Sequence, residues 1–417
     1  MNSALHNTAY SASPDNHTSV YIFHLSEWND IDHIAPVIWK FLKIGYKVRC
    51  IAASDFDFNS CYRIKFLRNF NGFSIETPSI YDKRRYGILF GRLGPFGRVR
   101  FARVGPTMER IFGWKTYARM VGKFWPSKLI DRRQLSDCVG VFEWRGQGHI
   151  NFFDFKVAEA AICALPHGGP FTFLNDDFSK AIRTSGPPDF SSRNEFTSYV
   201  FASQHHANWG IRHGFNPKKI AVLGSARFCP EWQKINLAIL PLFIPKKNDS
   251  EKLKLVFFVP HWTYNVFSEE VYKALQYLAS DPDIYLVIKG HTRGTGEIID
   301  DFSSLYPDVE SNSPDPSPSL IRWADVVVNV SSSIAFEAIM QGKPVIHARW
   351  CHDNRTIFDD GLNAHVATNM NRFIYLVQQA KNGDLKPLIN SRTLSEHLGW
   401  KSDEDVLMRY VNHLTKL

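Results

Sequence analysis

The 417-residue sequence has no long apolar run, and its six cysteines are scattered. A membrane-spanning helix needs about 20 apolar residues in a row, so we expect any membrane contact to be peripheral. No C-x-x-C pair is present, which argues against a disulfide framework or a zinc site and indicates a reducing cytoplasm. Residues 1–18 are polar and lack an apolar h-region, so no signal peptide is expected.

Internal repeats and low-complexity tracts are also absent, and the remaining composition, 44% hydrophobic and 22% charged, is typical of a globular protein. The length favours two domains of about 200 residues each. The formal net charge of +8 suits an anionic partner, such as a nucleotide donor or an acidic membrane. Because none of the aromatic-and-basic motifs of the known nucleic-acid modules occurs, nucleic acid is not an expected partner.

Much of the positive charge lies in the first third of the chain, in Lys83-Arg84-Arg85 and at Arg98, Arg100 and Arg103. One interpretation is a solvated basic face. The other is a dock for anionic phospholipid headgroups or for a lipid-linked acceptor. Both interpretations stay open at the level of sequence.

The order of apolar runs predicts two successive α/β units. A strand at 20–25, a helix at 34–44 and a strand at 47–53 form a βαβ opening, which implies a parallel sheet with right-handed crossovers. The pattern breaks down at 227–251 and a second series starts with a strand at 253–259. We therefore expect two facing Rossmann-like domains with a cleft between them: a polar arm 1–18, an N-terminal acceptor-side domain 19–228, a linker 229–251 and a C-terminal donor-binding domain 252–417.

A serine triplet, Ser331, Ser332 and Ser333, lies between a predicted buried strand and a predicted helix. The first N–H groups of a helix have no partner within it, and the helix dipole makes that end positive, so the turn is suited to a phosphate. Glu337, about one turn further on, is expected to reach a hydroxyl such as that of a ribose. The alternative is a serine N-cap with Glu337 as an ordinary first-turn residue.

Two further groups end neighbouring strands of the second unit. Lys289, His291 and Arg293 follow the strand predicted at 284–288, and this edge of an open α/β sheet is where ligands bind. Charge-assisted bonds to phosphate are the expected use, with a solvated basic turn as the alternative. His261 and Trp262, after the unit's first strand, are candidates for lining the same cleft by hydrogen bonding or by stacking on a base; the alternative is a buried Trp beside a satisfied His.

Candidates for the chemical step lie in the first unit. A transferase needs a base to accept the proton of the acceptor hydroxyl, and His, Asp and Glu are the usual groups. The candidates are His167, Glu143, Asp176 and Asp177, followed by Glu27, Asp30 and His33. No DxD-type carboxylate pair stands out, although Asp176–Asp177 keeps that option open, so we expect chemistry without a metal and without a cofactor.

The segment 287–293 is similar to the K-x-H-x-R-type segment of bacterial surface-polysaccharide transferases. The serine triplet with Glu337 and the strand that follows resembles their donor-site helix. The families that the sequence resembles are the capsule β-Kdo transferases and the CDP-glycerol glycerophosphotransferases, both GT-B-like. The segment 165–169 also resembles the His-Gly turn of the glycerophosphotransferases. The sequence departs from them at Thr292, where they commonly carry Pro, and at Glu337, where the glycerophosphotransferases have an Asp-rich pattern.

This resemblance implies transfer of a sugar from a phosphate-activated donor to a growing capsule or O-antigen chain. The donor would be linked to CMP, CDP or UDP, or be phosphoribosyl pyrophosphate, and the acceptor would be lipid-linked or an oligosaccharide at the inner face of the bacterial membrane. His291, Arg293 and the serines would hold the donor phosphates, and His167 would be the base. Two alternatives stay open: a nucleotide-sugar epimerase or hydrolase of the same architecture, and a non-catalytic carbohydrate- or nucleotide-binding protein.

Overall fold

The structure is a computed structural model that describes residues 20–25, 28–52, 57–77, 79, 116, 130–131, 133, 135–143, 152–166, 172–247, 251–291, 297–311, 313–400 and 405–417. The predicted arm 1–18 and the basic stretch 83–103 lie outside the described residues. So do Glu27, His167 and Arg293, and so does the side chain of Asp30. No described helix is long and apolar enough to cross a membrane.

The first sheet consists of parallel strands in the order β3-β2-β1-β4-β5-β6-β7. The strands are β1 (Val20–Leu25), β2 (Val48–Ala52), β3 (Phe73–Glu76), β4 (Cys138–Glu143), β5 (Ala161–Leu165), β6 (Ser198–Phe201) and β7 (Ile220–Val222). The described helices of this half are α1 (Trp28–Lys43), α2 (Tyr62–Leu67), α3 (Phe152–Val157), α4 (Lys180–Ser185), α5 (Gln204–Arg212) and α6 (Pro230–Ile239). β4 is buried along its whole length, as its run of apolar residues predicts for a strand covered on both faces.

The second sheet repeats this plan, with parallel strands in the order β10-β9-β8-β11-β12-β13. Its strands are β8 (Leu253–Phe258), β9 (Ile284–Lys289), β10 (Glu310–Ser311), β11 (Val326–Asn329), β12 (Val345–Ala348) and β13 (His365–Ala367). The helices are α7 (Ser268–Ser280), α8 (Glu297–Leu305), α9 (Ser317–Trp323), α10 (Ile334–Met340), α11 (Met370–Lys381), α12 (Ser391–Leu398) and α13 (Val406–Leu414). In both sheets the strand order reverses beside the first strand, between β1 and β4 and between β8 and β11, as in Rossmann folds.

The carboxyl ends of the two sheets face each other. Residues after β5 pair with residues after β12 in an antiparallel bridge between Phe173 and Thr356. The amide of Lys180 also donates to the carbonyl of Thr263, after β8, at 2.7 Å. Loops that follow strands of both sheets therefore meet in these contacts, which join the two carboxyl edges.

Two segments differ from the domain limits expected from sequence. Helix α6 occupies Pro230–Ile239 within the predicted linker 229–251, because Trp232 is buried and packs against Trp39 at a ring distance of 6.0 Å. Helices α12 and α13, within the predicted donor domain 252–417, pack on the first domain instead. The hydroxyl of Tyr410 in α13 donates to the carbonyl of Gly224 at 2.6 Å.

Gly399 lies between α12 and α13, and we expect its replacement by alanine to be strongly destabilising. It has a φ of +68°, and a Cβ there would lie 1.8 Å from the carbonyl oxygen of Ala202. Gly383, with a φ of +75° and no atom within 4 Å of a built Cβ, provides a matched control. Both variants bear the left-handed strain of about 1–2 kcal/mol, and Gly399→Ala should lose about 1–3 kcal/mol more from overpacking. Denaturant unfolding measures the free energy of unfolding of both variants. Equal losses would contradict the close packing of Gly399 against Ala202.

Candidate functional site

Three strands of the second sheet end side by side at the point where the strand order reverses. Asn329 of β11 pairs in register with Phe258 of β8, which pairs with Lys289 of β9. A crevice outside the carboxyl ends of parallel strands at such a reversal is the usual ligand site of doubly wound sheets. Of the predicted donor-site residues, Lys289, His291 and the serine triplet are described at the ends of these strands, so the fold brings them to one edge.

The turn between β11 and α10 contains buried polar atoms that lack partners among the described residues. They are the hydroxyl of Ser331, whose residue is 4% exposed, and the amide nitrogen Nδ2 of the fully buried Asn329. Asn329 Oδ1 accepts a hydrogen bond from the amide of Ser332 at 3.0 Å, which fixes the turn. A buried polar group without a partner is costly, so this turn is suited to a polar ligand. The sequence signal for Asn329 is a polar residue within a run of valines.

The helix start differs in detail from a simple serine cap. Ser333 occupies the N-cap position in a right-handed helical conformation and makes no side-chain cap hydrogen bond. Ser332 supplies the acceptor instead, because its hydroxyl accepts a hydrogen bond from the amide of Ile334 at 3.3 Å. The serines therefore have different surroundings, and Ser331 is the one whose hydroxyl has no described partner.

Two imidazoles meet at the ends of β8 and β9. The rings of His261 and His291 lie 5.5 Å apart, and Tyr264 lies 6.3 Å from His291. Thr263 Oγ1 lies 2.7 Å from His261 Nδ1, which orients that ring. The structure thus brings together His261 and His291, which the sequence placed on separate strands. Trp262 packs against the core of the second sheet and is half-buried, and its predicted role in lining the cleft stays a prediction.

Lys289 is directed to the neighbouring loop in this structure. Its Nζ donates to the backbone carbonyl of Ser313. Burial lowers the pKa of Lys289, and the nearby negative charge of Asp315 opposes that change. Its predicted role in binding a donor phosphate stays a prediction, since the described contact is with the protein itself.

Glu337 lies in a buried network that joins the two domains. Its residue is 1% exposed, Oε2 accepts from Arg227 Nη2 at 2.8 Å, and Oε1 accepts from Asn236 Nδ2 at 3.3 Å. Both carboxylate oxygens thus have protein partners that precede the second domain in sequence. The structure gives Glu337 a role in positioning α10, and binding of a ribose hydroxyl stays a prediction.

The same network continues into the first domain through Asp32. Arg227 Nη1 lies 3.1 Å from one oxygen of Asp32, and Arg63 Nη1 lies 2.9 Å from the other. The network contains two guanidinium groups, of Arg227 and Arg63, and two carboxylates, of Asp32 and Glu337. Its formal charges therefore balance. Burial, together with Arg227 and Arg63, lowers the pKa of the neighbouring His33 well below its ordinary value, so that ring is neutral. No sequence pattern indicates this network, because its members are far apart in the chain.

Among the catalytic candidates, Glu143 and the two aspartates have contrasting surroundings. Glu143 ends β4 at the reversal point of the first sheet and is 4% exposed. Asp176 is half exposed and lies 3.5 Å from Arg212, and Asp177 is also exposed, 3.4 Å from Arg183. Glu143 is thus buried at a strand end, whereas the aspartates are engaged in surface ion pairs, and the catalytic role of each stays a prediction.

β12 and the loop after it contain the described cluster whose composition would suit a metal ion, His347, His352 and Asp359, with one ligand-type atom of each within 4.8 Å of the others. Hydrogen bonds engage Asp359 and one ring nitrogen of each histidine. Asp359 Oδ1 lies 2.9 Å from His347 Nε2 and accepts from Thr356, and these bonds, against an opposing effect of burial, lower the pKa of Asp359 to about 2. His352 Nδ1 accepts the amide hydrogen of Asn354, which leaves the ring proton on Nε2. This arrangement holds the loop that carries the bridge from Thr356 to the first domain.

No family model and no curated protein matches this sequence. Solved structures resemble the chain over almost its whole length. Methanocaldococcus jannaschii UDP-GlcNAc 2-epimerase, in complex with UDP-GlcNAc and UDP, is 13% identical with a TM-score of 0.56, over 96% of this chain and 100% of that one. Neisseria meningitidis UDP-GlcNAc 2-epimerase, bound to UDP-GlcNAc, is 12% identical with a TM-score of 0.55, over the same shares of the two chains.

At such low identity this likeness shows the fold alone. It confirms the prediction of an α/β protein of the GT-B kind with two Rossmann-like domains. No sequence match supports the resemblance to β-Kdo transferases and CDP-glycerol glycerophosphotransferases. That resemblance therefore rests on the short motifs alone.

Proposed function

We propose that this protein is a GT-B glycosyltransferase that uses a nucleotide-linked sugar, with the donor phosphates bound at the carboxyl ends of β8, β9 and β11. The observation that carries the proposal is the turn after β11, where Ser331 Oγ and Asn329 Nδ2 are buried without described partners. The imidazoles of His261 and His291 lie at the ends of the two neighbouring strands. Hydrogen-bond donors that converge on a strand-reversal crevice are suited to a diphosphate.

In this proposal the second domain stabilises the leaving group. Negative charge grows on the donor phosphate as the glycosidic bond breaks, and preorganised donors at that position lower the barrier. The hydroxyl of Ser331 and the ring N–H groups of His261 and His291 serve as these donors, and the sequence motifs add Arg293. Glu143, at the facing edge of the first sheet, accepts the proton of the acceptor hydroxyl; His167, a candidate from sequence, is the other group for this role.

The finer parts of the proposal come from the sequence. The motif similarity at 287–293 and at the serine triplet favours transfer to a capsule or O-antigen chain. The acceptor is then lipid-linked or an oligosaccharide, and the formal charge of +8 suits an enzyme that works close to an anionic membrane.

A second candidate function is epimerisation of the nucleotide-linked sugar. The structural likeness favours it, because the two solved structures described above are UDP-GlcNAc 2-epimerases. The two functions differ in their need for an acceptor. An epimerase converts the donor sugar with no acceptor present, whereas a transferase releases the nucleotide stoichiometrically with a new glycosidic product.

Donor binding is tested by thermal unfolding of the full chain with UDP, CMP, CDP, GDP and phosphoribosyl pyrophosphate. A ligand at about 100 times its dissociation constant stabilises the fold by about 2.7 kcal/mol. We expect one of these ligands to raise the melting temperature. Ser331→Ala should weaken the binding of that ligand by about tenfold or more, because a hydrogen bond to a charged group contributes about 1.5–3 kcal/mol.

Ser319→Ala is the matched control for this experiment. The hydroxyl of Ser319 is equally buried but donates to the carbonyl of Pro241 at 2.7 Å. Ser319→Ala should destabilise the free protein and leave ligand affinity unchanged. Ser331→Ala should leave the stability of the free protein unchanged and weaken ligand binding. If none of the ligands stabilises the protein, or if Ser331→Ala binds as well as the wild type, the proposed site is wrong.

A further inference from the structure

The segment that joins the two domains presents two large apolar side chains to solvent. Leu242 is 70% exposed and Ile244 is 81% exposed, more than any other large hydrophobic residue that the structure describes. The residue between them, Phe243, is 8% exposed and packs against Trp323 at a ring distance of 5.1 Å. The alternation of an extended chain therefore turns one side chain inward and holds its two neighbours outward.

The segment is fixed at both ends by the second domain. The carbonyl of Pro241 accepts from Ser319 Oγ at 2.7 Å, and the amide of Lys247 donates to the hydroxyl of Tyr285 at 3.2 Å. These bonds flank the exposed pair on either side. Leu242 and Ile244 are consequently held out by a supported backbone, which lowers the entropy cost of inserting them into a partner.

Basic side chains surround the apolar pair. Lys246 and Lys247 follow it after Pro245 and are exposed, and Arg322, also exposed, donates to the carbonyl of Leu237. Asp308 pairs with Lys247, and the buried Glu310 accepts the amide hydrogen of Lys246, so two of these three charges are offset. The described surroundings are cationic by one charge, which is complementary to an anionic surface.

We propose that this segment, Pro241–Lys247, docks the protein on an anionic lipid membrane, with Leu242 and Ile244 inserted among the acyl chains and the basic side chains at the headgroups. A second copy of the chain is the less suitable occupant. A stable protein interface takes about 800 Å² from each partner, far more than two side chains provide. A bilayer needs no complementary surface, and each leucine or isoleucine taken out of water strengthens binding about tenfold or more.

The proposal is independent of the donor chemistry and names a surface in the described part of the chain. It also differs from the basic stretch 83–103, which carries apolar residues of its own, among them Ile88 and Phe90. Insertion of apolar side chains persists at high salt, whereas purely electrostatic attraction is screened. A label placed at position 244 separates the two surfaces, because it reports insertion of this segment alone.

The test uses the full chain with vesicles of phosphatidylcholine, with and without phosphatidylglycerol. All six cysteines are buried, so a cysteine placed at the surface can be labelled selectively with nitrobenzoxadiazole. The labelled Ile244→Cys variant should show a blue-shifted and brighter emission on vesicles that contain phosphatidylglycerol. The matched control is Ile389→Cys, at a site that is 57% exposed on another surface, and its emission should stay unchanged.

Co-sedimentation with the same vesicles gives the second readout. The double variant Leu242→Ser/Ile244→Ser should bind about 100-fold more weakly, whereas Ile389→Ser should bind as the wild type does. Nucleotide stabilisation of the double variant should equal that of the wild type, which shows that it is folded and that the donor site is separate. The proposal is overturned by unchanged emission at position 244, or by binding of the double variant equal to wild type. It is equally overturned by lipid-free association of the chain through the labelled site, which would identify a second copy as the occupant.

Discussion

Replacement of Arg227 by methionine should destabilise the protein by about 3–5 kcal/mol, the range for removing one partner of a buried ion pair. The change leaves Glu337, 1% exposed at its side chain, and Asp32, 20% exposed, without the guanidinium that they share. Methionine keeps most of the volume, so the loss reports charge and hydrogen bonding rather than a cavity. Denaturant unfolding of the full chain is the measurement.

The double variant Arg227→Met/Glu337→Gln is the decisive control. Removing the orphaned carboxylate should restore part of the lost stability, because much of the penalty is an uncompensated buried charge. Arg392→Met provides the surface comparison, since Arg392 and Glu396 are 88% and 59% exposed in an i,i+4 pair and should contribute little. If Arg227→Met is as stable as the wild type, the network does not hold the two domains together.

Glu143→Gln should lower turnover by about 10²–10⁴-fold, the contribution of a positioned general base. The change is isosteric, so the fold and the nucleotide-induced stabilisation should be retained, which separates chemistry from binding. Turnover is followed with the donor that the binding panel identifies. Asp176→Asn and Asp177→Asn are the comparison, because both aspartates lie in exposed ion pairs and should change turnover little.

His167→Gln belongs in the same assay because the sequence makes it the other candidate base. A loss confined to Glu143→Gln assigns the proton transfer to the end of β4. A loss confined to His167→Gln assigns the proton transfer to His167 and contradicts the preference for Glu143. Losses in both variants indicate a pair that acts as a unit, which a double variant with no further loss would establish.

The sequence was sufficient to predict the two-domain plan and the sheet edge at which the described candidate residues lie. Apolar runs such as 255–258 and 326–328 form buried parallel strands, because a strand covered by helices on both faces has no solvent side to alternate with. Polar residues directly after such strands, among them His261, His291 and Ser331, therefore come together at the carboxyl edge. This follows from parallel topology and needs no knowledge of long-range contacts.

Contacts between distant segments were decided only by the tertiary structure. Helix α13 resembles any amphipathic helix in sequence, yet it packs on α1 of the other domain, where Lys40 lies 2.6 Å from Asp405. The partner of Glu337 was equally hidden, because Arg227 is 110 residues away and its spacing has no period that a helix or strand would impose.

What the sequence determined by itself is thus local: which stretches form strands and helices, and which polar residues end them. The tertiary structure decided which of those residues have spare hydrogen-bonding capacity. Ser331 and Ser332 are indistinguishable as letters, but the hydroxyl of Ser332 accepts the amide hydrogen of Ile334 and that of Ser331 is buried without a described partner. The reason is physical: whether a polar group is already satisfied depends on every neighbour that folding brings to it, and most of those neighbours are remote in the chain.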